Sequence, residues 1–129
     1  MDPSTGPLTM AELAEIEATL LPAVERHHLR VLAHSLRTLQ AIAGRRQGAL
    51  PEAVQLRAWA ADVPALRDDP DFREGFLLQL QAAGGQLEAI AAARSTTPLG
   101  LELPELAAWA RAEAETRLSA PPAPLPPER

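Results

Sequence analysis

The sequence predicts an all-α protein: a single bundle of four or five helices followed by a disordered, proline-rich C-terminal tail. Three observations carry this reading. Ala and Leu, with 26 and 21 copies in 129 residues, dominate the chain together with Glu, Arg and Gln, all strong helix formers. Only seven β-branched aliphatic residues occur (Ile16, Val24, Val31, Ile42, Val54, Val63 and Ile90), and they are scattered singly, without the alternation of a strand. In two long stretches apolar residues recur at intervals of three and four, the period of a buried helix face. A chain of this length suits one domain with a core of its own. The expected organisation is a flexible N-terminus over 1–8, a helical bundle over 9–118 and the tail over 119–129.

The first helix is expected to start at Thr9, whose hydroxyl with Glu12 three residues on makes a capping box. Leu13, Ile16 and Leu20 follow on one face with Met10. Pro22 either opens a second helix or kinks a continuous one from Thr9 to Ala43, and the poor capping residue Leu21 favours the kinked continuous helix. Leu29, Leu32, Leu36, Leu39 and Ala43 then repeat in a 3,4,3,4 pattern that Gly44 and Gly48 end. The next helix is read as opening on Pro51-Glu52, with proline at the tolerated first position, and carrying Leu56, Trp59 and Val63 inward.

Val63-Pro64 ends that helix, and the stretch to Asp71 is read as a turn-rich connection. The acids of Asp68-Asp69-Pro70-Asp71 favour the start of a long helix to about Arg94. Phe76, Leu80, Ala83, Leu87 and Ile90 form its seam, with Phe72 a turn earlier. The seam stays in register across Gly84-Gly85, so the helix is predicted to continue through them. After the loop Ser95–Gly100, a last helix opens at Pro104-Glu105 and carries Leu106, Trp109, Ala110 and Leu118. The core is expected to hold Leu, Ala, two Trp and two Phe, with the helices over 22–44 and 71–94 packed together. The tail, with five prolines, contains the Pro-x-x-Pro spacing of polyproline ligands, although biased composition explains so short a motif.

Composition excludes several functions. Without cysteine there are no disulfides, thiolate metal sites or cysteine nucleophiles. No uncharged run reaches the ~18 apolar residues of a membrane span, and Met1–Ser4 has no secretory pattern, which points to a cytoplasmic protein. All 12 basic residues are Arg. Arginine suits phosphate recognition, but the joint rise of Ala, Gly, Pro and Arg is what a GC-rich, bacterial genome imposes. A net charge of −5 argues against nucleic acid as the partner.

Candidate chemistry centres on one helix. His27, His28 and His34 lie together, and Glu25-x-x-His28 matches the Glu-x-x-His element of di-iron bundles. Such sites need a second copy, which is absent, and His27 and His34 are about 10.5 Å apart along the axis, too far to share an ion. A metal or cofactor role for Glu25, His27, His28 and His34 is therefore the alternative reading, and no cofactor is expected. No nucleophile elbow or phosphate-binding loop occurs, so no enzyme is expected either. Charge is segregated: residues 1–25 carry −5, 26–57 carry +5 and 58–129 carry −5. Arg26, Arg30 and Arg37, with His34 between them, form a stripe with three readings: a solvated face balanced by the protein's own acids, a docking site for an acidic protein, or a polyanion site over 26–46. If the stripe is bland, the apolar end around Trp59 and Trp109 is the next candidate surface. Together these features predict a small non-enzymatic interaction protein (an adaptor, assembly factor or accessory subunit) whose partner is another protein, with a homodimer as a further option.

Overall fold

The computed structural model describes residues 8–119. Six α-helices and no strand occur among them: α1 (Met10–Ala18), α2 (Ala23–Ala43), α3 (Ala53–Ala61), α4 (Pro64–Arg67), α5 (Pro70–Ala93) and α6 (Leu103–Ser119), with a 3₁₀ turn at Pro98–Gly100. The all-α bundle is therefore present. Ser119, placed in the tail by composition, ends α6. The rest of the tail with its Pro-x-x-Pro motif, and positions 1–7 of the expected flexible N-terminus, lie outside the described residues.

Pro22 splits the first segment; the continuous kinked helix does not form. Proline cannot donate a hydrogen bond back to Ala18, and the chain stops at Thr19, whose hydroxyl donates to the Ile16 carbonyl at 2.6 Å. Leu20 takes φ 57°, in the left-handed region, and lies 85% exposed, while Leu21 turns inward at 6%. Pro22 itself then serves as the N-terminal flanking residue of α2. The break folds α1 back along α2 as a helical hairpin, so Glu12 reaches Arg37 while Glu17 reaches Arg26 and Arg30. The Thr9–Glu12 capping box forms as predicted.

Helix α2 is central and packs against α1, α3, α5 and α6. Its stripe of Leu29, Leu32, Leu36 and Leu39 is 0–3% exposed, each leucine contributing about 1.5–3 kcal/mol relative to exposure. Leu80, Ala83, Leu87 and Ile90 of α5 are buried as their spacing predicted. Three expectations about large side chains fail. Phe72, in the first turn of α5, is 55% exposed, and Met10 and Leu118 are exposed at helix ends. Trp59, Trp109 and Phe76 are only partly buried, leaving a core of Leu, Ala and Ile. α3 starts after Glu52, which makes a capping box with Gln55, so Pro51 precedes the helix. The connection after Val63 holds the single turn α4 before Asp69 caps α5 by accepting from the Phe72 amide at 3.0 Å.

α5 runs unbroken through Gly84 and Gly85, and the two glycines differ in kind. A Cβ on Gly84 would meet Leu50 Cδ1 at 3.0 Å, whereas one on Gly85 would meet nothing within 4 Å. Gly85→Ala is expected to raise stability by about 0.5–1 kcal/mol, the helix-propensity difference. Gly84→Ala should gain less, because Leu50 must move. Urea denaturation of the two variants checks this.

Candidate functional site

α5 and α6 each pack on α2 far more than on one another. α6 runs antiparallel to α2: Arg117, near its end, meets Glu25 at the start of α2. On the α5 side, Phe76 lies by His34 and Ser35, and Gly84 lies by Leu39 and Leu50 nearer the C-terminal end of α2. Between the walls lies an open hollow of about 670 Å³. Val24, His27, His28 and Val31 of α2 form its floor. Gln79, Ala82, Ala83 and Gln86 line it from α5, and Trp109, Glu113 and Arg117 from α6. A second hollow of about 250 Å³, lined by Arg30, His34, Ser35, Phe76 and Leu80, adjoins the first at Val31 and Gln79, which both hollows share. From Val24 to Ser35 this face of α2 extends about 16 Å, three helical turns.

Ion pairs fix the frame. The guanidinium of Arg117 donates twice to the buried Glu25 carboxylate, at 2.8 and 2.8 Å, joining the last turns of α6 to the first of α2. These bonds hold the Glu25 carboxyl below its ordinary 4.5 against the opposing effect of desolvation. Desolvation pushes the Glu12 carboxyl up, but the Arg37 guanidinium and the Thr9 amide and hydroxyl outweigh it, and the net direction is also down. Arg37 Nε donates to Glu12 at 2.8 Å and its Nη1 to Gln40, whose amide nitrogen donates to the Leu99 carbonyl at 2.8 Å. Desolvation lowers His34 from its ordinary 6.5, which favours the neutral imidazole.

The residues singled out from sequence divide into two groups. His27, His28 and Glu25 line the larger hollow, and Arg30 and His34 the smaller one. Arg26 and Arg30 share Glu17 of α1, and Arg37 is taken by Glu12. The arginine stripe therefore faces the protein's own acidic helix, and Arg37 is not on the solvent side. For a metal, Glu25 is already engaged by Arg117, the rings of His27 and His28 are 6.2 Å apart, and no three His, Asp or Glu side chains converge among the described residues. Trp59 and Trp109 do not share an end: Trp59 stacks on Phe76 at 5.9 Å, while Trp109 faces the groove. Sequence reasoning missed Ala82, Gln86, Glu113 and Arg117. The spacing of Trp109, Glu113 and Arg117 at four-residue steps was the available signal for one shared face.

The model of one protein family, the NDH complex assembly factor CRR9, matches residues 8–117. The chain belongs to this family. The matched span takes in the groove of this CRR9-family chain together with the Glu25–Arg117 pair that closes one end. No curated protein and no solved structure matches the chain.

Both lowered carboxyls stabilise the fold above their ordinary range, and that stabilisation is lost as pH falls through their folded values. Arg117→Gln is expected to lower the melting temperature at neutral pH, and its deficit relative to the wild type should shrink once pH drops below about 4.5. Thermal melts of both proteins across that range provide the check.

Proposed function

We propose that this chain is a non-enzymatic assembly factor that holds a protein subunit of the NDH complex in the groove along α2. The family match over 110 of 129 residues carries the reading, since it covers nearly the whole fold and both groove walls. The lining supports it. Aliphatic floor residues, a partly buried tryptophan and flanking amides and imidazoles are the mixture that protein interfaces use, with an apolar centre and a polar rim. A groove three turns long between two helices suits recognition of a further helix, whose apolar stripe would meet Val24, Val31 and Ala82.

Ala82 is exposed on the α5 wall, and arginine is a good helix former, so Ala82→Arg should block the groove without unfolding α5. About tenfold weaker capture of the partner is expected, which corresponds to about 1.4 kcal/mol. In the host, the variant should accumulate less assembled NDH complex on native gels. Wild-type assembly by a variant with unchanged circular dichroism would place the working surface elsewhere.

A further inference from the structure

On the wall that α6 lends to the groove, Trp109, Glu113 and Arg117 stand one helical turn apart. A glutamate four residues ahead of an arginine is the favourable arrangement for a pair along one helix. Here that pair does not form. Arg117 is turned onto Glu25 of α2, whose carboxylate is almost wholly buried and makes no other salt bridge among the described residues. Glu113 is left exposed, with no ion pair among the described residues. One turn before it, Trp109 presents a half-buried indole to the same hollow.

A carboxylate and an aromatic face, with Cβ atoms about 5–6 Å apart on one helix, are the two groups that together hold a guanidinium or ammonium. The carboxylate supplies the charge-assisted hydrogen bond and the indole the cation–π contact. Apart from the imidazoles of His27 and His28, the charged groups of the larger hollow are Glu25, Glu113 and Arg117, one net negative charge. The remaining contact surface is aliphatic or amide and asks for an apolar stripe.

We infer that the occupant is an amphipathic helix of the client protein, and that Trp109 and Glu113 grip an Arg or Lys side chain projecting from it; this rests on the groove being the docking surface. The helix lies between α5 and α6 and completes a four-helix arrangement around the open face of α2. Its apolar stripe meets Val24 and Val31, and its basic residue points to α6. Seven of the protein's own twelve arginines are already engaged by acids of the same chain.

The test places a photo-crosslinking benzoylphenylalanine at Gln86, exposed on the groove wall, in the full chain produced in its host. The same probe at Val54, exposed and outside the groove, is the control. The expected result is an adduct from position 86 and none from 54, with the joined peptide read by mass spectrometry as an amphipathic helical segment bearing Arg or Lys. Glu113→Gln should reduce the yield about fivefold and Glu113→Arg about tenfold or more, with circular dichroism unchanged. Equal yields from both Glu113 variants would overturn the cation grip while leaving groove docking in place. Absence of any adduct at position 86 would overturn the docking reading itself. An adduct between two copies of this chain, or with a segment lacking basic residues, also overturns the inference.

Discussion

Burial of the α2 leucine stripe is the constraint on which the other elements depend. Leu29, Leu32, Leu36 and Leu39 lie on one face, and Ala33 widens it, so α2 must be covered along most of its length. No single helix can do this. α1 takes one flank, α5 and α6 two others, and α3 closes the far end. The remaining helices have weaker one-sided patterns and acquire their orientation by packing on α2, so their stability is tertiary more than local. Truncation of one such leucine to alanine in a packed core typically costs about 2–5 kcal/mol, a large share of what holds a domain of this size folded.

Polar ties decide how the coverings are aligned. The chain Glu12–Arg37–Gln40–Leu99 links α1, α2 and the 3₁₀ turn, and its buried end leaves the Gln40 amide satisfied. The Gly48 amide donates to the Thr97 hydroxyl at 2.9 Å and its carbonyl accepts from the Leu99 amide at 3.1 Å, so the loop after α2 is tied to the segment before α6. Thr38 returns its hydroxyl to the His34 carbonyl at 3.0 Å. No buried side-chain nitrogen or oxygen lacks a partner among the described residues. Since an orphaned buried polar group is costly, such ties disfavour sliding of one helix past another even where they add little net stability.

The groove is a consequence of this arrangement. Two helices that both pack on α2, and only slightly on each other, leave a strip of α2 uncovered between them, and the pair of Glu25 with Arg117 holds one end of that strip in shape. A cleft whose walls are pinned by ion pairs and core packing keeps its shape without reordering of the protein itself, which lowers the entropic cost of filling it. In the CRR9 family, to which the chain belongs, the matched region spans this frame from Leu8 to Arg117.

Local chemistry is legible in sequence wherever the interaction partners are a few residues apart. The Thr9–Glu12 capping box, the Asp69 cap, the stop at Gly44 and the seams of α2 and α5 all depend on spacings of three and four, and all could be read directly. The segregation of charge was equally visible. Its meaning was not, because whether Arg26, Arg30 and Arg37 face solvent or Glu12 and Glu17 depends on the break at Pro22 folding α1 back along α2. A capping rule applied to Leu21 does not reveal that break, because it cannot weigh the burial Leu21 gains when the chain reverses. The groove lay further out of reach. Glu25 and Arg117 are 92 positions apart, and no periodicity within one helix reveals which faces of three helices come together. Composition and spacing by themselves determined an all-helical chain and most of its helix boundaries, because those depend on neighbours in sequence. Only the tertiary structure decided which acids neutralise which arginines and which face of α2 stays open, because both depend on contacts between residues distant in the chain.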